Sequence, residues 1–121
     1  MLLQELVKKW FKVWQEGDYK NIPEENTFRH TSPYGTIEGK APYLKLVESN
    51  KDKFLGNQIV LRDEIYNERK ACVRYTITNK DFTIEVSEWF FMGENLIQEI
   101  VAYYNIEGEI SENRKLSGLD N

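Results

Sequence analysis

One cysteine, one histidine, three prolines and no long apolar run are what this 121-residue chain has little of. With Cys72 alone, no internal disulfide can form, and zinc sites built on paired cysteines are excluded. With His30 alone among scattered carboxylates, a catalytic zinc would lack the imidazole or thiolate donors it usually takes, so no metal and no cofactor is expected. No segment reaches the ~20 apolar residues that cross a bilayer. The start MLLQELVKKW is amphipathic and does not read as a signal peptide, so a cytoplasmic protein is expected. The Lys-Lys and Arg-Lys pairs are isolated and the net charge is −4, which argues against a nucleic-acid partner.

What is present is ordinary globular material: 40% hydrophobic and 30% charged residues. A single domain over residues 1–107 is expected, followed by a polar tail over 108–121. Leu3, Leu6, Val7, Trp10, Phe11 and Trp14 recur at helical spacing and place a broad apolar stripe on one helix. Gly17 ends that helix, and Asp18 is typed to cap a short second one. Residues 27–31 read as a strand before a Pro-Tyr-Gly turn. A second long helix follows over about 40–54, with Pro42 tolerated in its first turn. Four β-rich runs then follow at about 58–67, 70–78, 82–92 and 96–106, with separators short enough for hairpins. Helices first and an antiparallel meander afterwards predict an α+β fold.

Parity separates the faces of the strands. Along 82–92 one face carries Phe82, Ile84, Val86, Glu88 and Phe90, and the other carries Thr83, Glu85, Ser87, Trp89 and Phe91. A tight hairpin with Asn79 and Lys80 at its tip sets Arg74 opposite Glu85, with Val73 and Tyr75 opposite Val86 and Ile84. Glu88 is then the one carboxylate on an apolar face. A carboxylate is seldom buried without a partner, so this one needs an explanation.

The strings WFKVWQEGD (10–18), GTIEGKAPYLKLV (35–47), IVLRDEIYNERKACVRYTIT (59–78) and FFMGENLIQEIVAYYN (90–105), in this order, resemble the SnoaL-like branch of the nuclear transport factor 2-like superfamily. The resemblance covers about residues 3–106. It implies a cone in which a curved antiparallel sheet wraps around the N-terminal helices and leaves a pocket in its mouth. Members include polyketide cyclases, ketosteroid isomerases, dehydratases and non-enzymatic binding domains, so the site must be argued by itself. Carried over to the ketosteroid isomerase arrangement, His30 takes the position of the general base on the first strand. Glu88 takes that of the second carboxylate, and Trp10 stands where those enzymes have a catalytic tyrosine. An indole N–H donates a hydrogen bond but cannot exchange a proton with an enol, so steroid isomerisation is not implied.

Two readings of His30 and Glu88 stay open at this level. They form a buried pair that braces the sheet, or His30 is a base held by Glu88 in proton-transfer chemistry on a hydrophobic carbonyl compound. Tyr104 is the candidate oxyanion donor. Trp10, Trp14, Phe28, Val73, Tyr75, Val86, Phe90, Ile100 and Ala102 are expected to border the pocket. Tyr34 and Tyr19 are expected at its mouth. Asp63 is a further pocket candidate that a one-residue bulge would turn outward. On the other sheet face, Trp89, Phe91, Val101 and Tyr103 form an apolar group, and a homodimer burying on the order of 800 Å² per partner is expected there.

Overall fold

The stripe of Leu, Val, Phe and Trp side chains becomes α1 (Leu3–Glu16), which buries Leu3, Leu6, Val7, Trp10, Phe11, Val13 and Trp14. Gly17, at φ 80°, ends it in the left-handed conformation that glycine adopts without strain, and its N–H returns to the Val13 carbonyl. The molecule is described by a computed structural model covering residues 1–105. The polar tail expected over 108–121 lies outside the described residues.

After a single 3-10 turn (Tyr19–Asn21) come β1 (Glu24–Ser32) and β2 (Gly35–Glu38). The chain turns again at Gly39, at φ 96°, where its N–H donates to the Phe28 carbonyl at 2.7 Å. The expected single helix over 40–54 is broken at Asn50 into α2 (Lys40–Ser49) and α3 (Lys51–Phe54). Asn50 leaves helical geometry at φ −135°, while its side-chain amide donates to the Leu46 carbonyl at 2.9 Å. Four strands complete the domain: β3 (Gln58–Tyr66), β4 (Lys70–Thr78), β5 (Thr83–Met92) and β6 (Ile97–Tyr103).

The strands form one curved, unclosed sheet in the order β2-β1-β6-β5-β4-β3. It is mixed rather than wholly antiparallel, because β1 runs parallel to β6 with His30 beside Ile100. The sequence shows the β3 to β6 meander directly, but the long-range return of β1 leaves no local mark. The β4–β5 register also differs from the expected one. Val73 faces Glu88, Arg74 faces Ser87 and Tyr75 faces Val86. The turn tip is Lys80-Asp81, since the Asn79 N–H donates to the Phe82 carbonyl and the Asn79 side chain accepts from the backbone N–H groups of Asp81 and Phe82. The slip is two residues in the pairing, so every side chain keeps its predicted face. Arg74 still reaches Glu85 diagonally at 3.8 Å.

The core lies between the helices and the inner sheet face. Phe28, Val73, Phe90, Ile97 and Ile100 are fully buried there with Leu6, Val7 and Val47. Each large apolar side chain so buried contributes roughly 1.5–3 kcal/mol.

Candidate functional site

Glu88 lies midway along β5 on the inner face, 3% exposed, between Val73 of β4 and Ala102 of β6. Its Oε1 accepts a hydrogen bond from Trp10 Nε1 at 3.1 Å. The Tyr75 hydroxyl also lies against the carboxyl. Burial pushes the Glu88 pKa up to about 7, with the Trp10 and Tyr75 contacts pulling the other way. A buried carboxyl whose pKa is raised towards neutrality among aromatic side chains can both give and accept a proton at working pH.

His30 shares this neighbourhood but not the expected bond. Its ring packs on Tyr43 with centroids 4.8 Å apart and lies 6.4 Å from Trp10. Trp10, not His30, occupies the near oxygen of Glu88. Among the described residues the His30 ring has no hydrogen-bond partner, so the expected His30–Glu88 pair is corrected to a Trp10–Glu88 pair. Burial lowers the His30 pKa to about 4, which leaves a neutral imidazole at pH 7.

Tyr104 follows β6 and is half-buried, with its hydroxyl against Ser32. Its ring centroid lies 6.2 Å from that of Tyr34, which is 77% exposed at the β1–β2 turn. Trp14, Phe28, Tyr75, Val86, Phe90, Ile100 and Ala102 are buried in the core around Trp10 and Glu88. For Asp63 the bulge alternative holds, and for Tyr19 the expectation fails. Asp63 points outward, because the β3 ladder shifts between Leu61 and Asp63, and its carboxylate accepts from Arg74 Nε at 2.7 Å. Tyr19 is buried rather than at the mouth, with its hydroxyl on the Glu48 carboxylate.

Two buried groups were missed. Tyr43 is the aromatic hub, in contact with Trp10, Trp14, Phe28, His30 and Phe54. Its spacing of four from Val47 on α2 was the available signal. Glu24 is buried at the start of β1, where the ladder to β6 is irregular between Glu24 and Arg29 and Asn26 is exposed, so alternation back from Phe28 gives no signal for it. Among the described residues, no three His, Cys, Asp or Glu side chains come together in a way that could hold a metal ion. An open cleft of about 470 Å³ lies elsewhere, lined by Asn26, Thr27, Arg29, Glu38, Gln98 and Glu99. Arg29 is already bound there by Glu38 and Glu99, at 3.7 and 3.0 Å.

No family model matches the chain, and neither does any curated protein. Solved structures do. An NTF2-like protein of unknown function from Cytophaga hutchinsonii superposes with a TM-score of 0.73 at 17% identity, covering 84% of this chain and 88% of that one. A SnoaL-like protein of unknown function from Burkholderia thailandensis gives a TM-score of 0.72 at 15% identity, covering 84% and 93%. A protein of Kribbella flavida, proposed to be a ketosteroid isomerase, gives 0.72 at 17% identity, covering 97% and 92%.

The chain has the nuclear transport factor 2-like fold. Within that cone, α1 lies across the inner sheet face and delivers Trp10 to Glu88, and α2 delivers Tyr43 to His30. At these identities the likeness fixes the fold alone, and the chemistry rests on the side chains. Among the described residues, no helix is long and apolar enough to cross a membrane.

Proposed function

We propose that the inner sheet face around Glu88 takes up a small, largely apolar molecule and moves a proton on it. Glu88 is the exchanging group, and His30 is the neutral imidazole that accepts from the ligand. The observation that carries this reading is Glu88 itself, a lone carboxyl on an apolar face, held by Trp10 at 3.1 Å and titrating near neutrality. Depression of the His30 pKa to about 4 makes it the weaker base, so the proton-transfer role shifts towards Glu88. Tyr104, with Tyr34 beside it, is the donor nearest the mouth.

Binding and turnover are tested separately. Binding of the neutral dye N-phenylnaphthylamine should be saturable and should be lost in Ala102→Leu, which adds bulk beside Glu88. Turnover is read as exchange of the α-protons of phenylacetone in heavy water. Acceleration should fall roughly 100-fold in Glu88→Gln and by less in His30→Gln. Dye binding without accelerated exchange would leave a non-catalytic binding module. One observation favours that second reading: Trp10 already satisfies one Glu88 oxygen.

We also propose a homodimer through the outer sheet face. One rung there runs without charge from Ile65 through Cys72, Trp89 and Val101 to Thr31. Ile65 is 73% exposed, and Trp89 and Tyr103 also face solvent. Sedimentation should give a dimer that Trp89→Glu splits, and a monomer at high micromolar concentration would contradict it.

A further inference from the structure

The ladder between β1 and β6 is interrupted along its length. Glu24 pairs with Ile97 and Arg29 with Glu99, so β1 takes five steps where β6 takes two, and three extra residues are let out of β1. The interruption opens the polar cleft of about 470 Å³. Asn26 and Thr27 come from the released stretch, and Gln98 from the strand it leaves. Arg29 and Glu99 stand where the pairing resumes, and Glu38 ends β2 beside them. The Gln98 side-chain amide reaches across the gap and donates to the Thr27 carbonyl at 3.1 Å. Bulges are enriched beside functional sites, where they re-aim side chains.

The lining indicates what would fill the cleft. None of its residues has an apolar side chain. Ligand sites of this volume are mostly apolar with a few polar groups, so this one selects a ligand that is polar throughout. An apolar ligand would strip water from Asn26, Thr27 and Gln98 and return no hydrogen bond. Charge narrows the choice further. Arg29 Nε donates to Glu99 at 3.0 Å, and its Nη1 lies 3.7 Å from Glu38. Two carboxylates around one guanidinium repel an anion, while Arg29 between them offsets their pull on a cation. What remains is a mixture of accepting carboxylate and amide oxygens with donating guanidinium, amide and hydroxyl groups. A hydroxyl both donates and accepts, so a molecule carrying several of them matches this mixture. The Arg29–Glu38 separation is too long for a hydrogen bond, and one hydroxyl can bridge it as a water would.

We propose that this cleft binds a neutral polyhydroxylated molecule of about monosaccharide size. One hydroxyl bridges Arg29 and Glu38, and its neighbours on the ring reach Glu99, Gln98 and Asn26. Arg29 and Glu99 alternate with the fully buried Phe28 and Ile100, so the cleft lies on the opposite face of the sheet from Glu88. It borders the uncharged outer rung at Thr31 and Val101, one alternation further along the same two strands. The proposal is therefore independent of the chemistry assigned to Glu88, and either can fail without the other.

Three sugars of one ring and different charge test this by amide NMR on the nitrogen-15-labelled wild-type chain: glucose, glucosamine and glucuronate. At slightly acidic pH the second is a cation and the third an anion. Glucose, titrated to roughly 50 mM, should give saturable shifts at the amides of Thr27, Arg29, Gly39 and Gln98, with a dissociation constant at least about threefold below those of the charged sugars. Arg29→Met should weaken glucose binding about tenfold or more, since it removes the central donor. Glucosamine or glucuronate binding more tightly than glucose would make this an ion site and overturn the proposal. Shifts that stay linear, that scatter over the surface, or that persist unchanged in Arg29→Met overturn it as well. The charge series needs no variant, so the test holds even if Arg29→Met does not fold.

Discussion

Glu85 and Glu88 lie three residues apart on β5 and meet opposite conditions. Glu85, on the outer face, is 69% exposed and sits 3.8 Å from Arg74 in solvent. Glu88, on the inner face, is 3% exposed, takes its hydrogen bond from an indole, and titrates near pH 7. One residue type serves as solvated decoration on one face and as a costly polar centre on the other. The difference comes from the pleat alone, which turns successive side chains to opposite sides. Holding a carboxyl at a pKa of about 7 against an ordinary 4.5 corresponds to about 3 kcal/mol against its charged form.

The largest effect that sharpens this contrast is in the packing around Glu88. Phe90→Ala should cost roughly 3–5 kcal/mol in urea unfolding, because Phe90 is fully buried between Trp10 and Phe11. A loss below about 1 kcal/mol would mean that the inner face is loosely packed.

Next comes pH. The folded pKa of Glu88 lies above its unfolded value, so its contribution favours folding below about 4.5 and declines as pH rises to about 7. Glu88→Gln should therefore gain on wild type by up to about 3 kcal/mol across that window. His30 acts in the reverse sense. Its folded pKa is depressed to about 4, so its contribution is complete above 6.5 and lost as pH falls through that range. Between pH 4.5 and 6.5 the two oppose each other, and His30→Gln should steepen the decline of stability with rising pH. A stability difference between Glu88→Gln and wild type that is independent of pH would contradict the burial account.

Smaller again is Trp10→Phe, which keeps an aromatic ring, though a smaller one, and removes the donor to Glu88. It should cost about 1–3 kcal/mol above pH 7, where an ionised Glu88 loses its partner, and less at pH 5. Equal losses at both pH values would mean that the indole contributes packing alone. The smallest effect belongs to the outer face: Glu85→Gln should leave the melting temperature unchanged at moderate salt, since exposed pairs are screened. A clear loss there would erase the contrast between the faces.

Sequence patterns carried the faces of β4 and β5 and the isolation of Glu88, because alternation survives a two-residue slip in register. They carried α1 almost to the residue, since its apolar stripe and Gly17 are both local signals. They did not carry the parallel pairing of β1 with β6, which depends on contacts some seventy residues apart. Nor did they separate Glu24 from Glu25, identical neighbours of which one is buried bare and the other caps the β5–β6 turn. His30 drew attention by being alone of its kind. Rarity of a residue type carries no information about its partner, and the Glu88 oxygen went to Trp10.

Everything proposed for the inner face depends on burial holding the Glu88 pKa near 7. The Glu88 side-chain carboxyl carbon, labelled with carbon-13 and followed by NMR from pH 3 to 9, reports this directly. A midpoint near 7 is predicted, moving further up in Trp10→Phe. A midpoint near 4.5, unmoved by that substitution, would show an ordinary solvated carboxylate and contradict the account.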